Sequence, residues 1–190
     1  DPGFHPYHVA PGHYHKDAAY HNGAVWPWLN GIAIQRMIEL GQTELAWRLF
    51  MNMSEIALTR GVVGGLPENL DAYPHPGESA PRLTGTYLQG WSNAEQLRVW
   101  YQGFLGIQPD LERDVIRLAP RLPGSIGNVT FKARIGTGVL HAAYEPCDRG
   151  RRYTWRLQGQ SARLDLDIAP FERRSFSVAA GDTLTVEQTA

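Results

Sequence analysis

Glu68 and Asp71 lie three residues apart in Gly64-Gly65-Leu66-Pro67-Glu68-Asn69-Leu70-Asp71, and they are the residues best suited to chemistry. Glycoside hydrolysis needs one carboxyl as acid and a second as base or nucleophile, on either side of the glycosidic bond. The two glycines let the backbone turn sharply and approach a ligand, and Pro67 stiffens the approach to Glu68. A base that must activate one water needs that fixed geometry. The same spacing also fits two solvated loop acids. The stretch continues to Ser92 through Tyr73, His75, Glu78, Tyr87, Gln89 and Trp91. A loop of that length is usually functional or a disordered linker, and its aromatics argue against a linker. The expectation is one wall of a polar, aromatic-lined site for a sugar.

Other chemistries find less support. There is no G-x-S-x-G nucleophile elbow and no G-x-x-x-x-G-K-[ST] phosphate loop. Cys147, the one cysteine, falls in an expected turn with no helix N-terminus to lower its pKa. Five histidines crowd the first 22 residues: His5, His8, His13, His15 and His21. Imidazole is a common metal ligand, but H-E-x-x-H is absent and His13-x-His15 alone is a weak signal. That segment reads as polar rings paving a cleft or as a structural arm, and no metal or cofactor is expected.

The elements that must position these groups follow from periodicity. Trp26-Pro27-Trp28 opens a helix, with Pro27 in the first turn where its missing N–H costs nothing. Leu29, Ile32, Ala33, Met37, Ile38 and Leu40 give it an apolar face, and Gly41 stands at its C-terminal cap. Thr43 reads as the N-cap of a second helix to about Arg60, with Leu45, Leu49, Met53, Ile56 and Ala57 on one side. Beyond the loop, Ser92-Asn93-Ala94-Glu95 matches a capping box, which gives Glu95 a structural task. A third helix follows to about Gly103, presenting Leu97, Trp100, Tyr101 and Phe104.

From Leu105 the period changes to two. Val129, Phe131, Ala133 and Ile135 alternate with polar residues, as do Tyr153, Trp155 and Leu157, and Leu164, Leu166 and Ile168. Turns near Gly136-Thr137-Gly138, Asp148-Arg149-Gly150 and Ala180-Gly181-Asp182 complete the signature of an antiparallel sheet. No cluster of acids, histidines or nucleophiles interrupts it. Asn128-Val129-Thr130 is a glycosylation sequon by pattern only.

The composition suits a soluble globular chain: 190 residues, 43% hydrophobic and 19% charged. The net charge of −1 gives no electrostatic case for nucleic acid or an anionic membrane. No apolar run reaches the roughly 18 residues needed to span a bilayer. Six Trp and eight Tyr offer flat faces with polar edges, which suit a sugar ring, although most aromatics are core. A lone cysteine fits a reducing compartment, and the cytoplasm is the expected location. The opening Asp1-Pro2-Gly3 carries neither Met nor a leader pattern, so the chain reads as part of something longer or processed.

Three motifs stand in series: Tyr20-His21-Asn22-Gly23-Ala24-Val25-Trp26-Pro27-Trp28, Gly65-Leu66-Pro67-Glu68, and Gln89-Gly90-Trp91-Ser92-Asn93-Ala94-Glu95. On these, with the Leu118-Ala119-Pro120-Arg121-Leu122-Pro123 run, the chain resembles the C-terminal part of the amylo-α-1,6-glucosidase family over about residues 4 to 123. That family is the glucosidase part of glycogen-debranching enzymes, and the wider resemblance is to glucoamylase-like six-hairpin glycosidases. Gly90 replaces the usual Ala of the third motif. The resemblance implies the C-terminal part of an (α/α)6 toroid, expected over residues 1–104, and the period-two half is expected as a small antiparallel β domain over 105–190. The resemblance also implies inverting hydrolysis of α-glucosidic bonds without a cofactor, Glu68 as general base, and Tyr20, His21, Trp26, Gln89 and Trp91 as sugar contacts. The family's general acid lies in an earlier segment, so the remainder of the barrel is the expected partner. Three long helices cannot close a twelve-helix ring, which agrees. A related barrel acting on another glycoside, a phosphorylase, and a non-catalytic carbohydrate-binding module remain alternatives.

Overall fold

The structure, a computed structural model, describes residues 3–8, 16–148, 150–168 and 173–189. His13 and His15 lie outside them. The chain divides into two compact units, Asp1–Val99 and Trp100–Ala190.

The first unit is built on helices α1 (Lys16–Asn22), α2 (Pro27–Glu39), α3 (Thr43–Thr59) and α4 (Gly90–Arg98). α1 departs from the expectation of an irregular N-terminal segment. At 7 residues it is too short to stand alone, so its stability must come from packing that periodicity does not display. Pro27 takes the first turn of α2 as expected. The helix ends in a Schellman arrangement: Gly41 at φ 74° donates to the Ile38 carbonyl and Gln42 to that of Met37.

α3 packs on α2, and α2 on α4. The buried stripes are Pro27, Gly31, Ile34 and Ile38 on α2, and Ala46, Phe50, Met53 and Ile56 on α3. These agree with the expected faces at Ile38, Met53 and Ile56 and differ elsewhere. Leu29, Ile32 and Leu40 are exposed on α2, and Leu45, Met51 and Leu58 on α3. Both helices carry apolar residues on more than one side, so a single 3.6-residue period could not say which side faces this unit.

Two further expectations are corrected at helix starts. The N-cap of α3 is Gln42, not Thr43. The Ser92 capping box does not form, because α4 begins earlier: Gln89 is its N-cap, with the side-chain oxygen accepting from the Gly90 N–H. Ser92 is buried inside the helix, and Glu95 pairs with Arg98 at 2.7–2.8 Å. Glu95 also lies against Gly31 of α2, where any Cβ would collide with its carboxylate. That contact sets the closeness of α2 and α4. A π-helical turn, Val99–Phe104, continues the chain.

The long loop between α3 and α4 is not wholly irregular. It contains a short antiparallel ribbon, β1 (Asn69–Leu70) with β2 (Leu83–Thr84), and Val25 bridges to Leu70 on the other side.

Beyond the π-helical turn and a short 3-10 turn at Leu111–Arg113, the described residues of the second unit form two four-stranded sheets. One has the order β10 (Thr183–Thr189), β7 (Gly150–Gln158), β6 (Gly138–Cys147) and β5 (Val129–Ile135), antiparallel throughout. The other has the order β3 (Ile107–Asp110), β4 (Val115–Leu118), β8 (Ala162–Leu166) and β9 (Arg174–Val178). Here β4 and β8 run parallel, unlike the all-antiparallel expectation. Parallel neighbours need a long crossover, and β5, β6 and β7 together provide it.

Ile116, Leu118, Leu164 and Leu166 from one sheet share a core with Leu140, Tyr144, Trp155 and Leu157 from the other. Burying each such side chain contributes about 1.5–3 kcal/mol. The core's polar atoms are satisfied internally. Trp155 Nε1 donates to the Tyr144 hydroxyl at 3.1 Å, and that hydroxyl donates to the Leu105 carbonyl at 2.9 Å. Burial keeps the Tyr144 phenol protonated far above its ordinary range.

Candidate active site

Glu68 stands immediately before β1. Its backbone N–H donates to the Thr86 carbonyl at 2.7 Å, and its Oε2 accepts the Thr86 N–H at 3.1 Å. This reciprocal pair locks the residue to the far arm of the ribbon. Gly85, at φ 69°, permits the approach: a Cβ there would stand 2.5 Å from Glu68 Oε2 and 2.9 Å from Asn69 Oδ1. The other carboxylate oxygen, Oε1, accepts the Tyr20 hydroxyl at 2.5 Å. That hydrogen bond, helped by desolvation and the negative charge beside it, pushes the Tyr20 phenol from 10.0 up to about 12. Glu68 is thus half-buried, with Oε1 accepting from Tyr20 and Oε2 from Thr86.

Tyr20 is itself held. Its ring meets Trp26 edge-on at 4.4 Å and His21 at 5.3 Å, and the Trp26 indole N–H donates to the Tyr20 carbonyl at 3.1 Å. Of the residues named from sequence, Glu68, Tyr20, Trp26 and His21 therefore form one cluster, with His21 exposed at its edge. Gln89 joins through the backbone: its N–H donates to the Leu66 carbonyl at 2.9 Å, while its side chain serves as the α4 cap. Asn93 reinforces the junction by accepting from the Leu66 N–H at 3.1 Å and donating to the Gln89 carbonyl at 2.7 Å. The two ends of the long loop therefore meet beside Glu68. Trp91 is 49% exposed on the first turn of α4, near exposed Tyr87 and Leu88.

The structure separates the two loop acids. Asp71 is only 2% exposed, which removes the reading of a solvated acid. It accepts the His8 backbone N–H at 2.7 Å through Oδ1 and meets His75 Nε2 at 2.8 Å through Oδ2. Tyr7 lies against the His75 ring at 4.3 Å, tilted by 39°. Sequence gave little hint of this: Asp71 and His75 are four apart, a spacing with meaning on a helix but not in a loop. Among the described residues, no group of three His, Cys, Asp or Glu side chains comes together as a metal site would require. No helix among them is long and apolar enough to cross a membrane.

The sequence profile of the amylo-alpha-1,6-glucosidase family matches residues 1–98, more than half of the chain. The chain belongs to this family. The matched residues contain the whole Glu68–Tyr20 cluster and all of α1 to α4. Among curated proteins, none matches the sequence. Among solved structures, a protein assigned as a kojibiose phosphorylase, from the human microbiome, is similar at a TM-score of 0.52 and 11% identity. The alignment covers 84% of this chain and 17% of that one, so the chain spans a small part of that protein's length. At such identity the likeness concerns the fold.

Proposed function

We propose that this chain is the C-terminal part of an inverting glycosidase acting on α-glucosidic bonds of glucans or oligosaccharides, with Glu68 as general base. The observation that carries the reading is the Glu68 carboxylate, fixed from two sides by Tyr20 and Thr86 in a chain of the amylo-alpha-1,6-glucosidase family. Glu68 would take a proton from the attacking water. An acid from outside this chain would protonate the leaving oxygen, about 6.5–9.5 Å away to leave room for that water. Trp26, His21, Gln89 and Trp91 would line the sugar pocket. In this reading Tyr20 serves the base directly, since its hydroxyl is committed to Glu68.

The helices would form the last part of an (α/α)6 toroid, completed by residues beyond this chain. The second apolar faces of α2 and α3 support this. On α3, Trp47, Met51 and Leu58 line an open groove of about 650 Å³, and Leu58 is 64% exposed. The carbohydrate is the one proposed ligand; nucleic acid and membrane have no part in the proposal, and the proposed location is the cytoplasm.

The test is Glu68→Gln in the full-length protein. Hydrolysis of an α-1,6-linked glucosyl oligosaccharide should fall by a factor of at least about 100, while binding of the same sugar survives. Near-normal turnover would remove Glu68 from the role. A second reading, phosphorolysis, draws on the kojibiose phosphorylase likeness. Release of a sugar phosphate only when inorganic phosphate is supplied would favour it, and free glucose without phosphate would favour hydrolysis.

A further inference from the structure

Glu68 and Asp71 flank the same two-residue strand, and each holds a different N-terminal segment. Glu68 receives the Tyr20 hydroxyl from α1, and Asp71 receives the His8 backbone N–H from the segment before it. Two more bonds fasten that segment: the Ala72 N–H donates to the Pro6 carbonyl at 2.8 Å, and the His5 N–H donates to the Asn22 carbonyl at 3.2 Å at the end of α1. The His8 and Tyr20 rings approach edge-on at 6.4 Å. Asp71 therefore anchors the segment 3–8, which meets α1 at Asn22 and at Tyr20, the residue whose hydroxyl lies on Glu68.

A buried carboxylate is costly unless its oxygens are fully used. Asp71 spends one on the His8 N–H and the other on His75, and is 2% exposed. We infer that Asp71 is a positioning residue for the base: through His8, its ring contact with Tyr20 and the His5–Asn22 bond, it fixes Tyr20 against Glu68. His75 holds the second oxygen so that the first stays aimed at His8.

This inference rests on Glu68 as base. Its test compares Asp71→Leu, which is similar in size and accepts no hydrogen bond, with Asp71→Asn, which still offers an oxygen to the His8 N–H and can meet His75 in its other tautomer. In the full-length enzyme, Asp71→Leu should lower kcat by a factor of about 10–100, the scale of a misplacement of about 1 Å, with KM within about threefold. Asp71→Asn should restore most of kcat. His75→Phe keeps the ring on Tyr7, removes the donor, and should lower kcat in the same direction. It stands as the second variant if Asp71→Leu does not fold.

Amide exchange at His8 and Ala72 reads the anchor independently of activity, and should quicken in Asp71→Leu but not in Asp71→Asn. Unchanged kcat in Asp71→Leu and His75→Phe, a loss carried by KM alone, or no rescue by Asp71→Asn would each overturn the inference. Failure of the base itself is seen separately: an active Glu68→Gln enzyme discards that assignment, whatever happens at Asp71.

Discussion

Replacing Tyr20 by Phe isolates one bond of the site. The ring remains, with its contacts to Trp26 and His21, and only the hydroxyl on Glu68 Oε1 is lost. A hydrogen bond to an ionised acceptor contributes about 1.5–3 kcal/mol. Both partners are half-buried, and solvent screening reduces this to about 1–2 kcal/mol. If the bond holds the base in line, kcat on an α-1,6-linked glucosyl substrate should fall by a factor of about 5–30, with KM nearly constant. The same bond leaves a mark on stability. The folded Tyr20 keeps its proton up to about 12, while the unfolded one loses it near 10.0. Between these values the folded state binds more protons, so the bond's contribution is intact below pH 10.0 and is lost as pH rises through about 12. Denaturant unfolding across that window should therefore show a steeper alkaline loss in the wild type than in Tyr20→Phe. Equal kcat and superimposable alkaline profiles would refute the account of Tyr20.

Gly85→Ala should strain a backbone at φ 69° and press a methyl group on Glu68 Oε2; the left-handed conformation alone costs about 1–2 kcal/mol, and kcat should fall further than the melting temperature would suggest. Gly31→Ala drives a methyl group into the Glu95 side chain and should destabilise the helical unit by about 1–3 kcal/mol, seen in chemical denaturation. Tyr144→Phe leaves the Trp155 N–H and the Leu105 carbonyl without their shared hydroxyl. It should cost the β unit about 1–3 kcal/mol and leave the Tyr20–Glu68 bond unaltered.

The β unit was the more legible half because its signal is local. In β7, Arg151, Tyr153, Trp155 and Leu157 are buried while Arg152, Arg156 and Gln158 face outward, as simple alternation requires. β3 escaped notice: it is four residues long and contains Pro109, which argues against a strand. β6 was blurred by Ala142 and Ala143, side chains too small to mark a face, although its burial alternates along most of its length. The parallel pairing of β4 with β8 is a long-range choice that neither strand's sequence encodes.

The helices show the opposite difficulty. Their existence was plain, and so was the Gly41 stop, but their inward faces were not. Leu45 and Leu29 fit a helical stripe as well as the residues that are buried. Capping failed for a related reason: Ser92 and Glu95 satisfy the capping-box pattern, yet Gln89 starts α4 three residues sooner and Arg98 competes for Glu95. A pattern names compatible partners, and geometry chooses among them.

The candidate site was half legible on the same terms. Glu68 stood out because two glycines and a proline shape its turn, a cue carried by adjacent residues. Its relation to Tyr20 spans 48 positions, and the one visible trace of it was the motif around Tyr20, which suggested a sugar contact. What the structure adds is a division of labour between two similar acids. Glu68 is half-buried beside Tyr20 and Thr86, whereas Asp71 is buried with both oxygens engaged. Nearly identical chemistry thus leads to one group that is half-buried and one that is closed off and holds the chain. Burial and hydrogen-bond partners make that difference, and two of the partners, the His8 N–H and the Tyr20 hydroxyl, come from the segment 3–8 and from α1, where the sequence showed no period to read.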